Sequence, residues 1–429
     1  MNNRKVILGW CMYDWANSSF ATTILAVVLP IYFIGIAGAS LSKETASAYW
    51  GYSNTIAMFV AAVFAPILGA VADHSANRKR FLAGFVYPGC IATALLVLVT
   101  KGDFLLASFL YIIGRMCFSS ANIFYDSLLP NIAGDRIDQV SSYGYALGYL
   151  GGGLLLALNL LMIMKPDLFG IPDKVWGSRL SFVTVGIWWA AFSIPLFLNV
   201  PEPPSTKMRG EDKNPLVAGF QRLGVTFREI RKFKESFIFL IAYWLYNDGV
   251  GTIIIMATSF GKVLNIPDSH LIGAILLTQF LGIPFTLLFG RIAKRYNPKK
   301  SILFCLLAYT GIAIGGFFVS TPLHFWVLAI CVSIVQGGVQ ALSRSFYGSM
   351  IPKSKTAEFF SFLDISAKFS GVFGPFIFGI IVQLTGNIKL SIISLVFFFI
   401  AGGAILLFVD QKKGIAHADE AERTIQQCK

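Results

Sequence analysis

The sequence predicts an all-α membrane protein of twelve transmembrane helices in two pseudo-symmetric six-helix bundles. Three observations predict it. Of 429 residues, 55% are apolar and 13% charged, with a mean hydropathy of +0.68; a soluble domain carries about 25% charged residues. The apolar residues gather in stretches near the roughly 20 that a helix needs to cross a bilayer core. The chain also repeats itself. FYDSLLP at Phe124–Pro130 returns as FYGSMIP at Phe346–Pro352, 222 residues on, and GAVADHSANRKR at Gly69–Arg80 returns as GRIAKRYNPKK at Gly290–Lys300, 221 residues on. Two matches at nearly one offset imply two homologous membrane halves, the layout that places a solute site near the bilayer midplane.

The segments, numbered 1 to 12 in order, are 9–37, 49–72, 81–100, 104–125, 140–164, 180–200, 236–260, 270–290, 301–319, 323–345, 359–385 and 388–409. Most are rich in Gly, Phe and Leu with few charges. A bilayer offers no water to unpaired backbone groups, so helices are the natural reading. This organises the chain as an N-terminal bundle 1–200, a cytoplasmic linker 201–235, a C-terminal bundle 236–411 and a cytoplasmic tail 412–429. Segment 1 follows Arg4 and Lys5 and ends in AGAS, as a signal peptide would. Asp14, Asn17, Ser18 and Ser19 interrupt it, however, and it is too long for an h-region. The linker opens with PEPPS, and then Leu216, Phe220, Leu223, Phe227 and Ile230 recur between basic residues. That pattern is an amphipathic helix lying on the membrane surface, as a tether or as a regulatory element.

The net charge of +13 invites a nucleic-acid partner, but its distribution excludes one. With the N-terminus inside, most Lys and Arg fall in cytoplasmic loops, and only Lys43, Lys101, Lys165, Lys174, Arg179, Lys262 and Lys389 fall outside. This positive-inside bias puts both termini in the cytoplasm. No H-E-x-x-H, G-x-S-x-G or GxxxxGK[ST] is present. Cys11, Cys90, Cys117, Cys305, Cys331 and Cys428 form no CxxC pair, which indicates neither a disulfide framework nor a metal site. The sequence therefore predicts no catalytic residue, metal or cofactor.

Charge inside a membrane is costly and usually marks a pathway. Segment 1 carries Asp14, Asn17 and Ser18 on one face, and segment 7 carries Asn247 and Asp248 at comparable depth. Two acids on equivalent helices suit proton coupling or a substrate amine; alternatively, each caps its helix near the surface. Arg115 lies mid-way along segment 4, with Ser119 and Asn122 beyond it and Asp126 near the cytoplasmic end. Arg115 is too deep to snorkel, so it either binds an anionic solute group or pairs with a carboxylate such as Asp14 or Asp126. Segment 10 presents Gln336, Gln340 and Arg344 as a stripe, in which Arg344 is close enough to the inner face to snorkel. On segment 11, Asp364 and Lys368 stand at i and i+4, as a local ion pair or a solute contact. Gly144, Gly148 and Gly152, with Gly151 and Gly153, stripe segment 5, and Gly371, Gly374 and Gly379 mark segment 11; such stripes let helices approach closely.

The loop GAVADHSANRKR resembles the cytoplasmic gate signature of the major facilitator superfamily, G-x-x-x-D-R-x-G-R-R, with Gly69, Asp73, Arg78 and Lys79 at or near its positions. The resemblance implies a gating role for these four, and for Asp126 at the same face. Its second copy has Lys294 in place of the acid. Arg115 with Ser119 is similar to a degenerate helix-4 R-x-x-x-G signature, and the antiporter Gly-Pro of helix 5 is missing. YDWANSSFATTI, YNDGVGTI and QGGVQALSRS resemble the vacuolar amino-acid effluxer branch, the autophagy-related-protein-22-like permeases, across all twelve segments. The resemblance implies the major facilitator fold, with helices 1, 4, 7 and 10 lining one cavity. It also implies a bacterial inner-membrane permease for a small solute such as a neutral amino acid; the two intramembrane acids would handle a coupling proton or the substrate amine, and a monomer is expected. A transporter-like solute sensor and a lipid flippase are the alternative readings.

Overall fold

The computed structural model describes residues 3–74, 77–133, 137–202, 228, 230–295, 297–352 and 356–427. The described chain is helical. α1 begins as Asn3–Ser19 and continues through a π-helical stretch Phe20–Val27, an α turn Val28–Tyr32 and a second π stretch Phe33–Ala37. Next come α2 (Lys43–His74), α3 (Arg78–Leu95), α4 (Phe104–Ala133), α5 (Ile137–Met164) and α6 (Lys174–Asn199). After the linker follow α7 (Lys234–Val263), α8 (Asp268–Arg295), α9 (Pro298–Phe317), α10 (Pro322–Gly348), α11 (Thr356–Thr385), α12 (Ile388–Phe408) and α13 (Gln411–Gln427). Ten of the spans among the described residues are long and apolar enough to cross a membrane. Large apolar side chains such as Leu198, Leu307, Leu384 and Phe408 stand exposed on them, as lipid contact allows and a water-soluble surface does not. Most of the linker, including Leu216–Phe227, lies outside the described residues.

Local chemistry sets the helix ends. Asp173, Thr321 and Asn387 accept the N–H of Trp176, His324 and Lys389 to start α6, α10 and α12. Asn297 accepts from Lys299 N with Pro298 at the first helical position, where a missing N–H costs nothing. Gly386, at φ +63°, closes α11 in the left-handed region that glycine enters without strain.

The chain forms two compact units. One gathers the N-terminal helices with Ile255–Leu276; the other gathers the first half of α7, through Ile254, with the chain from Leu277 onward. Within the first, α1 packs on α5 and α6, and α3 on α4 and α6; within the second, α9 packs on α10 and α12. The repeated FY motif is a packing device in both. Phe124 is fully buried, stacked against Phe81 and Phe85, while Tyr125 stacks on Trp10 of α1 at 4.4 Å. Phe346 and Tyr347, also fully buried, pack on Phe239 of α7. The repeated basic loop closes helix ends in both. Lys79 Nζ donates to the carbonyls of Phe197 (3.1 Å) and Val200 (2.7 Å) at the end of α6, and Lys299 Nζ to those of Leu407 and Val409 (both 2.8 Å) at the end of α12. Cations there meet the otherwise unpaired carbonyls of a C-terminus.

The second half of α7 belongs with α1 and α2 for a reason visible in the backbone. Pro30 has no N–H, so the carbonyl of Ala26 cannot receive its usual i+4 amide. Thr258 Oγ1 donates to that carbonyl at 2.7 Å. Beside it, Ser47 and Ser259 share a buried 2.7 Å hydroxyl contact, Trp50 Nε1 donates to the carbonyl of Ile255 at 3.4 Å, and Lys43 donates to Asn265 Oδ1. These contacts join the C-terminal halves of α1 and α7 to the start of α2.

Candidate functional site

In the first unit, α1 and α4 carry Asp14, Asn17, Ser18, Arg115 and Asn122 of the polar side chains singled out from sequence, and they join two of them directly. Asn17 Nδ2 donates to Asn122 Oδ1 at 2.8 Å, and Asn17 is 4% exposed. One helical turn from Asn17, Asp14 Oδ2 accepts the hydroxyl of Tyr125 at 2.9 Å. Ser18 lies against α5, where a Cβ at Gly148 would come within 2.6 Å of its Oγ. The Gly144, Gly148 and Gly152 stripe is thus the surface on which α1 rests. A side chain at Gly144 would collide with Asp14 Oδ2, and one at Gly152 would come within 2.9 Å of the Ser18 carbonyl. Ser119 and Ser120 are buried on α4.

Arg115 meets neither of the acids considered for it. Asp14 is engaged by Tyr125, and Asp126 is exposed. No carboxylate among the described residues pairs with Arg115; its Nε is buried without a hydrogen-bond partner, and its Cζ stands 5.5 Å from the Phe118 ring centroid. Tyr111, one turn earlier, gives its hydroxyl to Asn54 Oδ1. Phe118 in turn stacks on Phe20 of α1 at 5.1 Å. The guanidinium therefore has an aromatic floor and, among the described residues, no counter-charge.

The second unit repeats the acid arrangement. Asp248 is 2% exposed, and its Oδ1 accepts the N–H of Gly374 on α11 at 2.9 Å. Pro375 follows directly, inside the helix. A side chain at Gly374 would collide with Thr252 Oγ1, which donates to the Asp248 carbonyl at 2.7 Å. Asn247 Nδ2 donates to Ser370 Oγ at 2.6 Å. Asp14 with Ser18 and Asp248 with Thr252 are one motif, an acid and a hydroxyl four residues apart, seated on a glycine of the partner helix. On α10, Gln336 is half-buried, while Gln340 and Arg344 are exposed.

At the loop end of α3, Arg78 is 5% exposed and its Nη1 donates to the carbonyl of Ser127 at 2.9 Å. Lys79 caps α6 as described, and its N–H donates to Glu202 Oε1 at 3.0 Å. Gly69 and Asp73, and the Asp364 side chain, lie outside the residues whose surroundings are described. Tyr125, Ser370 and Thr258 were not foreseeable as partners one residue at a time. The acid–hydroxyl motif recurring beside glycine-rich segments was the available signal for the first two.

Residues 33–138 and 134–419 match the family described as "Vacuole effluxer Atg22 like". The uncharacterized MFS-type transporter YxiO of Bacillus subtilis (strain 168) is 36% identical over 406 residues, covering 94% of this chain and 94% of its own. Autophagy-related protein 22-1 of Penicillium rubens is 24% identical over 544 residues, covering 96% of this chain and 91% of its own. Of the solved structures, the nucleoside transporter NupG superposes with a TM-score of 0.68 at 15% identity, over 95% of this chain and 98% of that one. A bacterial homolog of the human lysosomal transporter Spinster, inward-facing and unoccupied, gives 0.68 at 17% identity over 97% and 98%. At such identities the structures speak for fold alone.

Proposed function

This chain belongs to the Atg22-like family of major facilitator transporters, multi-pass membrane carriers rather than enzymes, and on that premise we propose that it moves a neutral amino acid across the membrane by alternating access. The observation that carries the substrate reading is Arg115, a half-buried cation whose Nε is buried without a partner and which meets no carboxylate among the described residues. A guanidinium is retained in such a place when an anion comes to it, and its planar fork fits a carboxylate. We assign Asn17, Ser18 and Asn122 of the first unit, and Asn247, Gln336 and Gln340 of the second, as the hydrogen-bonding groups that orient the remainder of the solute. Asp14 and Asp248 are where a coupling proton would sit. Arg344 belongs with the groups that face the solute, and Gly69, Asp73, Arg78, Lys79 and Asp126 form the gate at the loop end.

In this reading the chain has twelve spans in two six-helix bundles, 1–200 and 236–411. The linker 201–235 joins them, both termini are cytoplasmic, and the protein is a monomer of a bacterial inner membrane. The positive-inside distribution supports the orientation. The decisive experiment is counterflow of labelled leucine and phenylalanine into proteoliposomes of the purified protein. Accumulation is expected, and it should fall at least about a hundredfold in Arg115→Gln while the variant remains folded. Normal turnover in that variant would remove Arg115 from the site. No accumulation of either amino acid by folded wild type would reject the amino-acid substrate in favour of another solute.

A further inference from the structure

We infer that the solute site of the first unit recognises a carboxylate as its one charged determinant, so that 2-oxo and 2-hydroxy acids are accepted alongside the amino acid of the same side chain. The inference rests on the transport reading above and sharpens its substrate class.

The charges in and around the site are unbalanced. Arg115 brings one cation, its Nε is buried with no partner, and the ring face of Phe118 at 5.5 Å is its electrostatic support. An aromatic face offsets only part of the loss of water around a guanidinium. Tyr111, one turn earlier on the same face of α4, gives its hydroxyl to Asn54. A zwitterion would also want an anion for its ammonium, and the intramembrane acids with described side chains are committed to helix contacts. Asp14 takes the Tyr125 hydroxyl and faces Gly144 of α5; Asp248 takes the Gly374 N–H and is almost fully buried against α11.

What remains near Arg115 is neutral. Ser119 and Asn122 lie one and two turns further along the same face of α4. Asn122 receives Asn17 Nδ2 on its oxygen, which leaves its own amide N–H groups and the Asn17 oxygen for solute. An ammonium there meets an amide oxygen, whereas the carboxylate meets an ionised fork. Hydrogen bonds to an ionised partner are roughly twice as strong as neutral ones. Removing the carboxylate also strands a half-buried cation whose Nε has no partner, while removing the ammonium strands only neutral groups that a keto or hydroxyl oxygen can partly satisfy.

The test uses three probes of one shape on the purified full chain: leucine, 4-methyl-2-oxopentanoate and 3-methylbutylamine. Each is measured as a competitor of labelled leucine counterflow and directly by thermal shift in detergent. The oxo acid is expected within about tenfold of leucine, and the amine weaker by about a hundredfold or more. Arg115→Lys, which keeps the charge and loses the fork, should keep this ranking with weaker binding of both acids. Leucine moving normally while the oxo acid is a hundredfold weaker would overturn the inference and leave the transport reading intact. Binding of the oxo acid without leucine transport would support the carboxylate site and overturn the amino-acid substrate. Binding of neither acid to folded protein would overturn both.

Discussion

Asp248 is the side chain whose role is most open to direct test. Its carboxylate does a structural job, accepting the Gly374 N–H at 2.9 Å in a nearly closed space, and it is the proposed seat of a coupling proton. The two jobs separate under substitution. Asn keeps an oxygen for the amide and cannot carry a proton; Leu fills the volume and removes the side-chain acceptor of the Gly374 N–H, which costs about 1 kcal/mol. Asp248→Asn is therefore expected to fold with wild-type thermal stability and to retain counterflow, but to lose any acceleration of net transport by a pH gradient. Asp248→Leu should be less stable in a detergent melt. If the Asn variant melts like the Leu variant, the acceptor role is wrong. At this scale the sequence revealed which groups are anomalous and not what they meet. Arg115 was legible as too deep to snorkel, because that follows from position along a helix. That neither Asp14 nor Asp126 would neutralise it was not legible, since the Tyr125 hydroxyl that takes Asp14 lies 111 residues away in the chain.

Between helices, the glycines of α5 act as a seat for α1, and the geometry at Gly148 makes a reciprocal prediction. An added Cβ there would lie 2.6 Å from Ser18 Oγ, while the next neighbours, the Asp14 carbonyl and Cβ, stand at 3.3 and 3.5 Å. Gly148→Ala alone should behave as an overpacked core substitution and destabilise by about 1–3 kcal/mol. Adding Ser18→Ala removes the clashing atom and should restore most of the melting temperature. Gly251→Ala, with nothing within 4 Å of the new Cβ, is the neutral control. A double variant as unstable as Gly148→Ala alone would mean that α1 and α5 do not touch at this register. The fourfold spacing of glycines foretold a close helix contact, since spacing is a property of one helix. It could not name the helix that fills the stripe. The gate-like loop shows the same limit. A basic residue after a loop can bridge helix ends or cap one, and only the distances from Lys79 to the carbonyls of Phe197 and Val200 reveal which contact this conformation makes.

For the molecule as a whole, hydropathy and the repeated FY and basic-loop motifs made the helical membrane architecture legible. They did so because burial in lipid and duplication both leave one-dimensional traces. The sharing of α7 left none. Its first half packs with the second unit and its second half with the first, because Pro30 frees the Ala26 carbonyl for Thr258 and the Ser47–Ser259 contact closes beside it. If transport alternates access, α7 must part from α1 and α2 at this end once per cycle, and holding it there must stop turnover. Replacing the six native cysteines by Ser and introducing Ser47→Cys with Ser259→Cys places two thiols where two hydroxyl oxygens now stand 2.7 Å apart, close enough for a disulfide after small adjustment. Oxidation is expected to abolish leucine counterflow and reduction to restore it, while each single variant transports in either condition. The milder Thr258→Val removes one hydrogen bond worth about 1 kcal/mol. It should therefore shift the conformational equilibrium about fivefold away from the closed end, read as faster alkylation of a lone cysteine at position 259. Full turnover of the oxidised, cross-linked protein would show that transport does not require the contact between α2 and α7 to open. The solute would then need a route that does not pass between these helix ends.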